Sequence, residues 1–213
     1  MSSPIDYTSK NTQFAFDVNK SPFFKKDNQN LINILGKQQL NTLKNLSLLD
    51  IYLSATNVVE PHYHPNAEEL VYCISGAVAV SLLNPFTRQF QNYSITPGEV
   101  VNIPQGWWHY EFATEDSTHI LAIFDAPTPQ VILGSDILKL TPASIMAHTY
   151  CLDKREWKKA IAPLDPPTYI GPPTSCIKTE ESNALYSCNI NQYDSRVFPT
   201  QEYNPNNNPY PNH

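Results

Sequence analysis

The sequence predicts an all-β sandwich or barrel followed by two short helices, and three observations lead there. Between Leu31 and Pro129 short apolar segments recur: LINIL, LSLLDIYLSA, ELVYCIS, AVAVSLL, YSITP, EVVNIP, WHYEFA and THILAIFDA. They are rich in Val, Ile, Tyr and Phe, the residues that suit a pleated, half-buried surface. Turn material separates them, including Asn84-Pro85 and Pro97-Gly98,. None is long enough for a helix, and helix-start signals appear only after the last of them. Eight or so strands at this spacing fit a mainly antiparallel sandwich or barrel, and periodicity alone does not choose between the two.

Residues 1–30 are polar, with a few aromatics (Phe14, Phe16, Phe23, Phe24) suited to pinning an extended arm onto a neighbouring surface,. Residues 31–162 hold the strands and the helices. Thr141 and Pro142 offer a cap and a first-turn proline for ASIMAHTY, and Asp153 with Glu156 forms a capping-box-like start for KREWKKAI,. Nine of the 19 prolines lie at or beyond Pro163. Residues 163–213 therefore read as a Pro/Asn-rich tail, largely disordered, ending in YNPNNNPYPNH,. At 213 residues the chain holds one domain of ordinary size with these two appendages,.

A net charge of -6 without long runs of one sign offers no stripe for phosphate backbones, so nucleic acid is excluded as an expected partner,. The N-terminus lacks a basic, then apolar, then small-residue pattern, and no run of eighteen apolar residues occurs,. A soluble cytoplasmic protein without a membrane partner is expected. The four cysteines (73, 151, 176, 188) form no CxxC pair,. Reduced thiols are the default; Cys176 and Cys188 could pair under oxidising conditions. Cys73 alternates with outward residues in ELVYCIS and reads as a small core filler rather than a nucleophile.

In EPHYHPNAEELVYCISG, His62 and His64 fall on one face of a strand and Tyr63 on the other, so two imidazoles can converge on one ion,. Such a triplet on its own is weak evidence. The carboxylates Glu68 and Glu69 follow after a Pro-Asn-Ala turn. A second block, GEVVNIPQGWWHYEF, places Gly98, Pro104 and Gly106 before His109.

Together the two blocks resemble the motifs of the cupin superfamily: HxH, three or four residues, Glu, six residues, Gly, and then Gly, five residues, Pro-x-Gly-x-x-His. His62, His64, Glu69 and Gly76 match the first, and Gly98, Pro104, Gly106 and His109 match the second. Glu68 also lies within the permitted spacing after His64, but the six residues to Gly76 favour Glu69. HPNAEEL and IPQGWWH look most like the germin and oxalate decarboxylase branch, and the likeness spans roughly Leu31 to Ile161. The resemblance implies a jelly-roll barrel in which His62, His64, Glu69 and His109 ligate a metal: manganese, with iron, zinc and nickel as alternatives. A mixed nitrogen and oxygen shell without thiolate suits all of these ions.

Two departures stand out. The family's Gly six residues before the first His is Thr56, which suggests a different turn. The Asn usually found four residues after the last His is Ala113, which removes an amide from the inner face. Glu111 shares that face with His109 in a regular strand and is the catalytic candidate, as a proton shuttle, against the reading of a solvent-facing rim residue. Trp107 and Trp108 precede His109, one suited to walling the cavity and the other to packing outside. His119 and His148 fit no motif and read as structural or surface residues.

The expected function is a manganese- or iron-dependent enzyme acting on a small carboxylate such as oxalate, or a related oxygen-bearing molecule. A single barrel, as in germins, implies self-association into a homo-oligomer. The alternative is a non-enzymatic cupin built into an assembled layer such as a spore coat, with the Asn, Pro and Tyr tail as its adhesive element.

Overall fold

The computed structural model describes residues 5–174. The rest of the tail, with Cys176 and Cys188 and the pairing expected of them, lies outside the described residues. The chain forms β1 (Pro22–Lys25), β2 (Leu31–Leu35), β3 (Ser47–Leu53), β4 (Val58–Tyr63), β5 (Glu69–Ser75), β6 (Val78–Asn84), β7 (Gln89–Ile95), β8 (Val100–Ile103), β9 (His109–Ala113) and β10 (Thr118–Phe124). After these come β11 (Ile132–Leu133), α1 (Gly134–Leu140), α2 (Ala143–Tyr150), α3 (Lys154–Ala160) and β12 (Ile170–Gly171).

Two antiparallel sheets make a jelly roll. One runs β1-β2-β3-β10-β5-β8 and the other β11-β4-β9-β6-β7, with β12 added to β4. The period-2 patterns in the sequence decide which side chains enter the barrel. In β10 Thr118, Ile120, Ala122 and Phe124 are buried and the residues between them are not,. In β5 Glu69, Val71 and Cys73 point in while Tyr72 and Ile74 stay exposed. Cys73 is fully buried in the core with Val71, Val80, Ile103 and Phe124, the packing role its position implied.

The strand ends rest on backbone geometry. Gly76 (φ +69) turns between β5 and β6, and a Cβ there would lie 2.6 Å from Thr118 Cα, so only glycine allows this approach,. Thr56 sits at φ 69, also in the left-handed region. The expected different turn is therefore absent: Thr56 adopts the conformation that suits glycine, anchored by its N–H donating to the Ala113 carbonyl at 2.9 Å.

The helical region differs from the sequence reading in two respects. A third helix, α1, precedes the two expected ones. It starts with glycine and has no side-chain cap of its own, so nothing local announces it; one first-turn N–H, that of Ser135, is met instead by a carboxylate from β4, described below. Thr141 does not cap α2: Pro142 takes the N-cap position, and its carbonyl accepts from Ile145 and Met146. Asp153 caps α3 as expected, accepting from the N–H groups of Arg155 and Glu156 at 2.8 and 2.9 Å,. At the other end of the chain, Phe23 and Phe24 of β1 meet the ring of Tyr169 at 5.0 and 5.2 Å.

A β-branched residue at positive φ costs about 1 kcal/mol or more. Thr56→Gly is therefore expected to stabilise the fold by about 1 kcal/mol, a rise of roughly 2–4 °C in Tm for a domain of this size. A thermal melt checks it, and an unchanged or lower Tm would show that the turn carries no strain.

Candidate metal centre

Four side chains from separate segments meet inside the barrel. His62 lies on β4, His64 just beyond it, Glu69 opens β5 from the other sheet, and His109 opens β9. They are 5%, 6%, 3% and 0% exposed, and one ligand atom from each lies within 4.8 Å of all the others.

A bulge in β4 aims the first histidine. Val59 stands opposite Glu111 and His62 opposite His109, three steps on β4 against two on β9,. Glu60 and Pro61 take up the difference; Pro61 has no N–H to leave unpaired in the interrupted ladder. The bulge lets Val59 pack against the core while His62 still faces His109. Gly134 presses on it from outside, where a Cβ would lie 2.9 Å from the Pro61 carbonyl oxygen.

Each ring is oriented through its far nitrogen. The Nδ1 of His62 meets the Glu60 carbonyl at 2.7 Å, that of His64 the Gln130 carbonyl at 2.7 Å, and that of His109 the Trp107 carbonyl at 2.8 Å. A carbonyl only accepts, so each Nδ1 carries a proton and each ring turns its Nε2 to the centre. His109 Nε2 carries a proton as well and donates it to Glu69 Oε2 at 3.0 Å, while His64 Nε2 lies 3.3 Å from the same oxygen without hydrogen-bond alignment.

Charge is distributed accordingly. Burial would raise the Glu69 carboxyl, but the hydrogen bond and charge of His109, with His64 beside it, outweigh burial and hold the group well below the usual range. Burial would likewise lower His109, yet the Glu69 hydrogen bond and charge lift it to about 9. Burial, helped by the His109 charge, keeps His62 well below its ordinary value and hence neutral. Three imidazoles with Nε2 inward, one ionised carboxylate and no thiolate form a donor set suited to a divalent transition ion.

Glu68 is exposed and outside this group, its N–H bonded to Asp125. Glu111 does not lie on a solvent-facing rim. It is 1% exposed, Oε1 stands 3.7 Å from His109 Nε2, and neither carboxyl oxygen has a hydrogen-bond partner. Burial first, and the Glu69 charge second, push it up to about 8. Ala113 is fully buried opposite Val78 and brings no polar group inside.

Trp107 packs partly buried against the core, and Trp108 lies against Gly134 and Tyr63. His119 is away from the site, bonded to Asp50 at 2.6 Å and stacked on Tyr52; His148 is exposed on α2. Sequence reasoning missed Glu60. Its 6% exposure and dense hydrogen bonding come from partners more than seventy residues away, which no local motif reveals.

Comparison with known proteins agrees with this architecture. The model of a family described as Cupin matches residues 19–158. Germin-like protein 1-2 of Oryza sativa subsp. japonica is 29% identical over 122 residues, covering 55% of this chain and 54% of the relative. The chain spans about half the length of the curated relatives it matches first. An oxalate oxidase in complex with the substrate analogue glycolate superposes with TM-score 0.64 at 15% identity, covering 75% of this chain and 84% of that one. Oxalate decarboxylase from Bacillus subtilis gives TM-score 0.64 at 18% identity, covering 83% and 48%. At these identities the structural likeness speaks for the fold alone.

A metal ion needs the Nε2 lone pair of His109, which is protonated below about pH 9 in the metal-free protein. Uptake at pH 7 is therefore expected to release about one proton from His109, and the added positive charge favours loss of the Glu111 proton as well. Affinity rises with pH and levels off above about 9. Isothermal titration in buffers of different ionisation enthalpy reads the release directly; a heat independent of buffer would contradict it.

Proposed function

This chain belongs to the cupin family, and from that premise we propose that it is a metal-dependent enzyme acting at a manganese or iron centre on a small carboxylate such as oxalate. The observation that carries the reading is the buried group of three Nε2 atoms around an ionised Glu69, with every Nδ1 committed to a backbone carbonyl. Buried polar side chains need compensation, and a shared cation would supply it to all four at once. Affinity order alone would favour copper or zinc; manganese follows from the resemblance to the germin branch. The oxalate reading takes support from the two oxalate enzymes among the structural neighbours.

His62, His64, Glu69 and His109 would hold the ion. Once bound, it supplies Lewis acidity or an electron relay and keeps positions open for a small oxygen ligand. The chain's own residues do the rest. The barrel wall, with Val71, Val80, Ile103 and Phe124 buried in it, limits water,. No Lys or Arg is among the buried side chains of the described residues, so no buried side-chain cation adds to the charge of the ion. Glu111, with both oxygens unpartnered beside His109, is placed to take a proton from the bound ligand or return one to it,. It takes over the polar role at the inner face that Ala113 cannot fill.

Exposed apolar side chains on and after the helices fit a contact with a second copy of the chain: Ile137, Leu140, Ile145, Tyr150 and Leu152,. Leu140, at 72% exposure, is the most open of these.

Elemental analysis of purified protein, then oxalate turnover with and without added Mn²⁺, tests the proposal. Glu69→Gln is expected to lose the metal, and Glu111→Gln to keep the metal while kcat falls about 10²–10⁴-fold. Folded protein that takes up no transition ion would end the reading; turnover unaffected by Glu111→Gln would remove that residue from the chemistry. Light scattering after size exclusion checks assembly: the wild type is expected to be oligomeric and Leu140→Glu to be smaller, and a monomeric wild type would exclude the helical contact.

A further inference from the structure

Glu60 holds together two parts of the molecule that the metal centre does not itself explain. Its carboxylate is buried and fully engaged: Oε2 accepts from the Ser135 N–H at 3.0 Å, and Oε1 accepts from the Ser135 hydroxyl at 3.1 Å, the Thr168 N–H at 2.9 Å and the Tyr169 N–H at 2.8 Å. The two Ser135 contacts cap α1 from outside the helix, meeting one of the first-turn N–H groups that its own sequence leaves open,. The other two tie down the strap at residues 168–171. The Glu60 N–H also donates to the Tyr169 carbonyl at 2.9 Å, and beyond it β12 pairs Ile170 with Val59. Tyr169 is held at φ 52, a left-handed conformation that a tyrosine adopts only under constraint,.

The Glu60 carbonyl accepts from His62 Nδ1 at 2.7 Å. The Glu60 backbone, inside the bulge and half-freed from the ladder, is therefore fixed by its own side chain, and it in turn fixes a ring of the metal centre. We propose that Glu60 is a positioning residue that couples docking of the 168–171 strap to metal binding at His62. With the strap docked, the Glu60 carbonyl directs His62 Nε2 inward; with the strap released, the bulge relaxes and the ring loses its aim. Linkage makes the effect reciprocal, so a bound ion holds the strap in place. The inference rests on the metal-centre reading above.

The test uses the full chain, with Mn²⁺ as the probe. Glu60→Gln keeps the shape but sets an amide NH₂ against N–H donors of Ser135 or of Thr168 and Tyr169. Mn²⁺ affinity is read by isothermal titration, and strap docking by the rate at which a protease specific for aromatic residues cuts after Tyr169. In the wild type, Mn²⁺ is expected to slow that cut. In Glu60→Gln the cut is expected to be fast with or without Mn²⁺, and Mn²⁺ affinity to fall about 10–100-fold, as for other groups that orient metal-bound histidines. Ser135→Ala removes one bond to the carboxylate and leaves the others, and is expected to move both readouts a few-fold in the same direction; it serves where Glu60→Gln fails to fold. A freed strap with Mn²⁺ affinity within about twofold of wild type, or a wild-type cut insensitive to Mn²⁺, overturns the coupling. A wild-type protein that binds Mn²⁺ while showing no coupling separates this failure from that of the metal reading, whereas one that takes up no ion overturns both.

Discussion

Three backbone carbonyls, at Glu60, Gln130 and Trp107, fix the outer nitrogens of the three buried histidines, and the chemistry of the barrel depends on that constraint. An imidazole free to flip would present a proton to the centre as often as a lone pair. Because carbonyls accept and never donate, the tautomer is decided by main-chain geometry. The carbonyls come from the β4 bulge, from the segment before β11 and from the turn before β9. The centre is thus assembled by the fold as a whole, and Glu69 from the opposite sheet closes it.

The sequence carried the barrel well because its strands obey a period of two. THILAIF and ELVYCIS alternate cleanly, and burial in β10 and β5 follows that alternation. The positions of His62, His64, Glu69 and His109 were legible through motif spacing, and Glu69 could be preferred to Glu68 from the distance to Gly76. What was not legible depends on contacts distant in sequence. α1 has no cap of its own, so its start depends on Glu60, and β12 is two residues long amid prolines. Thr56 was read as a change of turn, yet the ladder from Ala113 holds it in the glycine-like conformation regardless. Glu111 could be placed on a face by counting, but whether that face was wet or dry depended on packing against neighbouring strands.

Ala113 and Glu111 are best viewed together. Exchange of a family asparagine for alanine removes a neutral polar group, while two residues earlier a carboxyl stands buried without a hydrogen-bond partner. A group in that position is costly in a dry interior unless a ligand, ion or proton meets it. The inner surface of this barrel thus carries an ionisable group at Glu111 and an apolar one at Ala113.

The strand bearing His62 is bordered on its outer edge by two short pieces, β11 and β12, and the latter joins it from far along the chain, Ile170 pairing with Val59. Ribosomal synthesis delivers that strand long before its second border exists. Until residue 171 has emerged, one side of the strand keeps open N–H and carbonyl groups, a place where nascent chains can join edge to edge. Completion of the barrel wall thus lags synthesis of the strand that bears His62, and through that interval its open edge can mispair with another copy,.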